Sequence, residues 1–124
     1  MIGSALAVVS AALPGVPVAT KVPNPLPGRC VRVSRIGGYR RRELDAMRIL
    51  VECYASTAAG GPDGPRAEAD AYAAWDALRA AADGGPWADR YITGFDGDSL
   101  ADFPDVDVQD SHARWQFSGT LYLI

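Results

Sequence analysis

The side chains with the greatest chemical reach in this sequence are arginines, and they are grouped. Arg29, Arg32 and Arg35 lie on or near one predicted strand, and Arg40, Arg41 and Arg42 follow as an unbroken triplet. A guanidinium donates two parallel hydrogen bonds from a planar fork, which suits carboxylates and phosphates alike. Three readings fit the group: a solvated strand face with its loop, a contact with an acidic protein neighbour, or a nucleic-acid contact. Nucleic-acid grooves interleave aromatic residues with basic ones, and here only Tyr39 is close by.

Other reactive residue types are present in patterns that do no chemistry. The single histidine, His112, follows Asp110 and Ser111 directly. Consecutive residues cannot converge into a catalytic triad, whose members come from separated positions. Asp96, Asp98, Asp102, Asp105, Asp107 and Asp110 suggest a cation loop, but the fixed glycine and closing glutamate of calcium loops are missing. Asp96 and Asp98 flank a glycine, which is ordinary turn chemistry. Neither Gly37–Gly38 nor Gly60–Gly61 has the Lys-Ser or Lys-Thr of a phosphate-binding loop. Cys30 and Cys53 form no CxxC and have no histidines around them, which argues against zinc. They are read either as free buried thiols or as one cross-strand disulfide. The expectation is a non-enzymatic protein with no catalytic residue, metal ligand or cofactor.

The elements that must position the arginines follow from hydrophobic period. Ile2, Leu6, Val9 and Leu13 recur at helical spacing until Pro14–Gly15. Val16–Val22 alternates as a strand, and the proline-rich stretch after it, ending at Gly28, is an extended loop. Arg29–Ile36 alternates again, and so do Met47–Tyr54, with Gly37–Ala46 between them read as an exposed, protruding loop. Ala67, Ala71, Trp75, Leu78 and Ala82 share one helical face, with Pro65 near the start and Gly84-Gly85-Pro86 at the end. Tyr91–Phe95 reads as a strand, Asp96–Asp110 as an acidic loop and Arg114–Ile124 as a closing strand. Trp115, Phe117, Leu121 and Leu123 face one way along it, and Trp75 and Leu78 are expected to pack on that face. The order α-β-β-β-α-β-β implies an α+β fold, with a mostly antiparallel sheet and helices against one face.

The chain has 124 residues, which suits one domain with a real core, spanning residues 1–124. Its net charge of −3 hides a split. Lys21 to Arg48 carries eight basic and two acidic residues, a balance of +6, and the remainder to Ile124 stands at −9. Such asymmetry predicts two differently charged surfaces. The N-terminal segment lacks the basic opening of a signal peptide and is too short and proline-punctuated to span a membrane. It reads as part of the fold, and no membrane partner is expected.

Taken in order, Val16-Pro17-Val18-Ala19-Thr20-Lys21-Val22-Pro23, the proline-rich turn, Val31-Arg32-Val33-Ser34-Arg35-Ile36-Gly37-Gly38 and Val51-Glu52-Cys53-Tyr54-Ala55 resemble the tail terminator family of long-tailed, siphovirus-type actinobacteriophages. The alanine-rich helix and the closing strand fit the same layout, and the acidic stretch before that strand is the least typical part. The resemblance implies a virion protein at the neck of the tail, assembled in the host cytoplasm. It implies a homo-oligomeric ring, usually hexameric, seated on the tail tube protein. Such a ring ends tube growth and offers a docking surface to the head–tail connector, while DNA passes through its channel without being read. The expected contact residues are Arg35, Tyr39, Arg40, Arg41 and Arg42. Another neck, head-completion or tail-tube-related subunit, or a small nucleic-acid-binding module, is the alternative.

Overall fold

From Met47 to Cys53 the odd-numbered residues are fully buried, as strand alternation against a core requires. The computed structural model describes residues 1–124, in the order α1 (Ile2–Ala12), β1 (Val18–Ala19), β2 (Arg29–Arg41), β3 (Leu44–Ala55), α2 (Gly64–Ala80), β4 (Ile92–Asp102) and β5 (Ala113–Leu123). The strands form one sheet in the order β1-β2-β3-β5-β4. The β1–β2 pair is parallel and every other pair antiparallel. This is the α+β architecture that the element order implies.

Both helices cover the same face. Val31 and Val33 of β2, Ile49 and Val51 of β3, and Phe117 and Leu121 of β5 join one cluster with Val8 and Val9 of α1 and Ala74 and Leu78 of α2. Asp63 caps α2 by accepting a hydrogen bond on Oδ1 from the Arg66 amide, 3.1 Å. Trp75 meets Phe117 and Phe95 edge-on, with centroids 5.2 and 5.7 Å apart, and is half-buried where Leu78 is fully buried. In α1 the buried side is Ser4, Ala5, Val8 and Val9, turned from the expected Ile2–Leu6 line, whose side chains are partly buried at its margin. The small residues of that side let α1 lie close to α2.

Three expectations need correction. The strand over Val16–Val22 shrinks to Val18–Ala19, because Pro17 has no amide to donate and joins only through its carbonyl, which accepts from Val31 N at 2.8 Å. Gly37–Ala46 is no loop. Strand β2 continues to Arg41 and pairs with β3 down to Arg41–Leu44, so only Arg42 and Glu43 make the turn. The glycines bend the strand without ending it: a bulge lies between Arg35 and Gly37, and Gly38 takes φ +114°, where a Cβ would collide with the Ala46 carbonyl. Arg42 takes a positive φ, +52°, at the head of this two-residue turn. Finally, the acidic loop begins only after Asp102, since β4 extends through Asp96 and Asp98. The missed part of β2 is exposed on both faces, and in the missed part of β4 the first core-facing position is a glycine, so neither shows apolar alternation.

The cysteines resolve by register. Val31 is level with Cys53 and Cys30 with Tyr54, so the two thiols sit on opposite faces of adjacent strands and both are free.

Candidate interaction surface

The expected contact residues all fall on the distal half of the β2–β3 hairpin. Every residue of β2 from Arg35 onward is exposed, while β3 opposite is largely buried because β5 pairs with it on the other side. After the bulge the rungs put Tyr39 and Arg41 on the face that the helices leave bare, and Arg40 on the other. Arg41 lies over the Tyr39 ring at 5.2 Å, which holds both side chains upright on that face.

Arg35 differs from its neighbours. Its guanidinium nitrogens reach Asp45 at 3.3 and 3.4 Å, and Nε donates to the Gly37 carbonyl at 3.1 Å. Asp45 is fully buried, so Arg35 is the group that compensates its charge. The other basic residues of the sheet are similarly engaged. Arg29 grips Asp70 through two bonds of 2.7 and 2.6 Å, tying β2 to α2. Arg114 and Arg32 flank Glu52 at 3.0 and 3.6 Å, the latter too long for a hydrogen bond. Arg48 reaches Asp98 at 2.9 Å. Arg40, Arg41 and Arg42 form no ion pair at all. Three adjacent positive charges repel one another and are free to meet an acid from outside.

The histidine is occupied structurally. Its Nε2 lies 2.8 Å from the Pro27 carbonyl, which only accepts, so Nε2 carries the proton, and Nδ1 lies 2.8 Å from Ser111 Oγ. A cavity of about 420 Å³ adjoins it, lined among others by Asp102, Asp110 and Pro62.

No protein-family model matches the chain, and no curated protein matches it either.

The feature that sequence reading missed is the second edge. Placing Asp96 and Asp98 in a loop hid that both stand on the bare face of an outermost strand, on the rungs of Thr120 and Ser118. Phe95 and Gly97, facing the core between them, carry the alternating signal, but glycine is silent in a hydrophobicity pattern. Ser118 donates to Asp98 at 2.5 Å and Arg48 adds its charge, and in that order they hold the Asp98 carboxyl below its ordinary range. No helix is long and apolar enough to cross a membrane.

Proposed function

We propose that this chain is a non-catalytic virion subunit of the tail terminator kind, closing a phage tail tube as a ring and presenting a docking surface to the head connector. The observation that carries the reading is the triplet Arg40, Arg41 and Arg42, unpaired at the exposed end of a braced hairpin. A fold spends nothing on such a cluster, whereas an assembly contact uses it to steer and orient an acidic partner. The sequence layout described above supplies the family, and opposite charge on the two halves of the chain suits head-to-tail contacts around a ring. On this reading the partners are further copies of the chain, the tail tube protein and the connector, and DNA passes through unread.

The test replaces Arg40, Arg41 and Arg42 together with alanine and counts tails by electron microscopy. The expected result is a folded subunit that yields over-length and headless tails. Tails of normal length joined to heads would retire the arginine contact. Monomers alone at the tail end, seen by native mass spectrometry, would retire the ring. Tight, salt-sensitive DNA binding by the isolated subunit would move the reading to a nucleic-acid module.

A further inference from the structure

We infer that the two free edges of the sheet join between copies, the β2 edge at Gly37–Arg41 of one subunit adding to the β4 edge at Gly94–Asp98 of the next. The inference deepens the ring reading and rests on it for closure alone, since the pairing stands on the edges themselves.

Both edges are bare. Strand β1 shields only Val31 and Arg32, so β2 beyond them has a neighbour on one side only, and β4 ends the sheet. Each edge therefore leaves a row of backbone donors and acceptors facing solvent, which is a template for another strand. The usable lengths match. The register of β2 runs unbroken from Gly37 to Arg41 beyond its bulge, and that of β4 from Gly94 to Asp98 between two irregularities.

Direction and height also match. Three successive antiparallel pairings leave β2 and β4 running in opposite directions. Rotating a copy about an axis along the strands then sets its β2 antiparallel to the first copy's β4, with the bare faces on one side. Following the rungs across the sheet, Gly37 is level with Arg48, Thr120 and Asp96, and Tyr39 with Ala46, Tyr122 and Gly94. The free edges thus lie at the same end of the molecule. A stagger of two or four residues, of the kind that closing a sheet requires, keeps side chains on their faces.

Charge selects the partner. Arg41 on one edge and Asp96 on the other share the bare face, and neither has an ion partner within the subunit. Two β2 edges would set arginine against arginine and two β4 edges aspartate against aspartate, so like edges repel. Only the unlike pairing is attractive, and an unlike pairing propagates head to tail.

Disulfide trapping in the purified full chain decides it. Tyr39→Cys/Asp96→Cys and Tyr39→Cys/Asp98→Cys cover the staggers of two and four residues, and Cys30 and Cys53 stay buried. The two positions lie on opposite edges of one sheet, three strand spacings or more than about 14 Å apart, so they cannot bridge within a subunit. Oxidation of at least one double variant at high protein concentration should give a ladder of covalent oligomers, while each single variant stays monomeric. Reversing one charge, Arg41→Glu or Asp96→Lys, should weaken self-association about tenfold or more, and combining both should restore it. Dimers from the single variants would mean that like edges pair and would overturn the proposal. So would a ring seen by native mass spectrometry that neither double variant traps, which leaves the ring reading intact. Monomers at every concentration would overturn the edge pairing, while the ring reading is decided at the tail end.

Discussion

Gly97 stands directly opposite Gly119 in the β4–β5 ladder, and aromatic rings fill the space that their missing side chains leave. A Cβ on Gly97 would lie 2.6 Å from the outer edge of the Trp75 ring, and one on Gly119 would lie 2.6 Å from Phe95 Cζ and 2.8 Å from the Gly97 backbone. The pair is the seat on which Trp75 and Phe95 rest. Alanine ordinarily suits a strand better than glycine, so the expected sign here is reversed. Gly97→Ala and Gly119→Ala should each destabilise by about 1–3 kcal/mol, measured by denaturant unfolding. Gly94→Ala is the control, since its nearest neighbour, the Tyr122 ring, is 3.8 Å away. Equal stability of all three variants would show that the rings have other room.

Leu78 is fully buried and Trp75 only partly so. Leu78→Ala should therefore cost about 2–5 kcal/mol, and Trp75→Ala about 3 kcal/mol, the lower end for a large aromatic. Either loss approaches a sizeable part of a small domain's stability. A melting temperature for Trp75→Ala within a degree of the parent would remove it from the core.

The arginines should separate into two classes. Arg35→Ala leaves the buried Asp45 carboxylate without its partner, which should cost about 1–3 kcal/mol. Arg40→Ala, Arg41→Ala and Arg42→Ala should each change stability by less than about 0.5 kcal/mol, because none has an ion partner to lose. Unfolding curves of the four variants check this, and a large effect from the triplet would assign it a folding role.

Burial pushes the Cys30 thiol up to about 11, and the Cys53 thiol is raised further by the same cause. Little thiolate is available near neutral pH, so thiol reagents should label neither residue until the protein unfolds. Mild oxidation should leave the native mass and mobility unchanged, since the side chains point to opposite faces. An internal disulfide found by peptide mapping of native protein would contradict the register.

Asp98 is held below its ordinary range, first by Ser118 and then by Arg48. A carboxyl with a depressed folded value contributes stability above its unfolded value and loses it as pH falls through the folded one. The loss therefore lies below about pH 4, and half-exposure keeps it small. Side-chain NMR should show the Asp98 midpoint rising in Ser118→Ala and rising further when Arg48 is also removed. An unmoved midpoint in both would detach Asp98 from these partners.

The parts of the fold legible in sequence are those with one wet and one dry face. Met47–Cys53 and Phe117–Leu123 announce themselves because each second residue is non-polar and buried. The distal half of β2 and most of β4 have no dry face of their own over long stretches, so their strand character comes from neighbours that periodicity does not see. Gly37–Gly38 reads as a breaker in isolation, and only the bulge geometry shows it as a bend. Asp70 is buried under Arg29, a partner forty-one positions away that no local pattern marks. The arginine triplet is visible in sequence, but its shape is not.

That shape bears on how fast a partner is captured. Arg41 and Leu44 are a ladder pair, and the β3 side of the ladder is itself laced to β5 as far as Leu123. A loose loop would surrender about 1–2 kcal/mol of backbone freedom for each residue that a partner immobilised. Here the backbone is already fixed, and only side-chain rotamers remain to be ordered. The tip thus behaves as a stamp rather than a tentacle. Association should be governed by encounter and orientation, with no slow rearrangement after first touch, and removing charge from the tip should slow capture and weaken its dependence on salt.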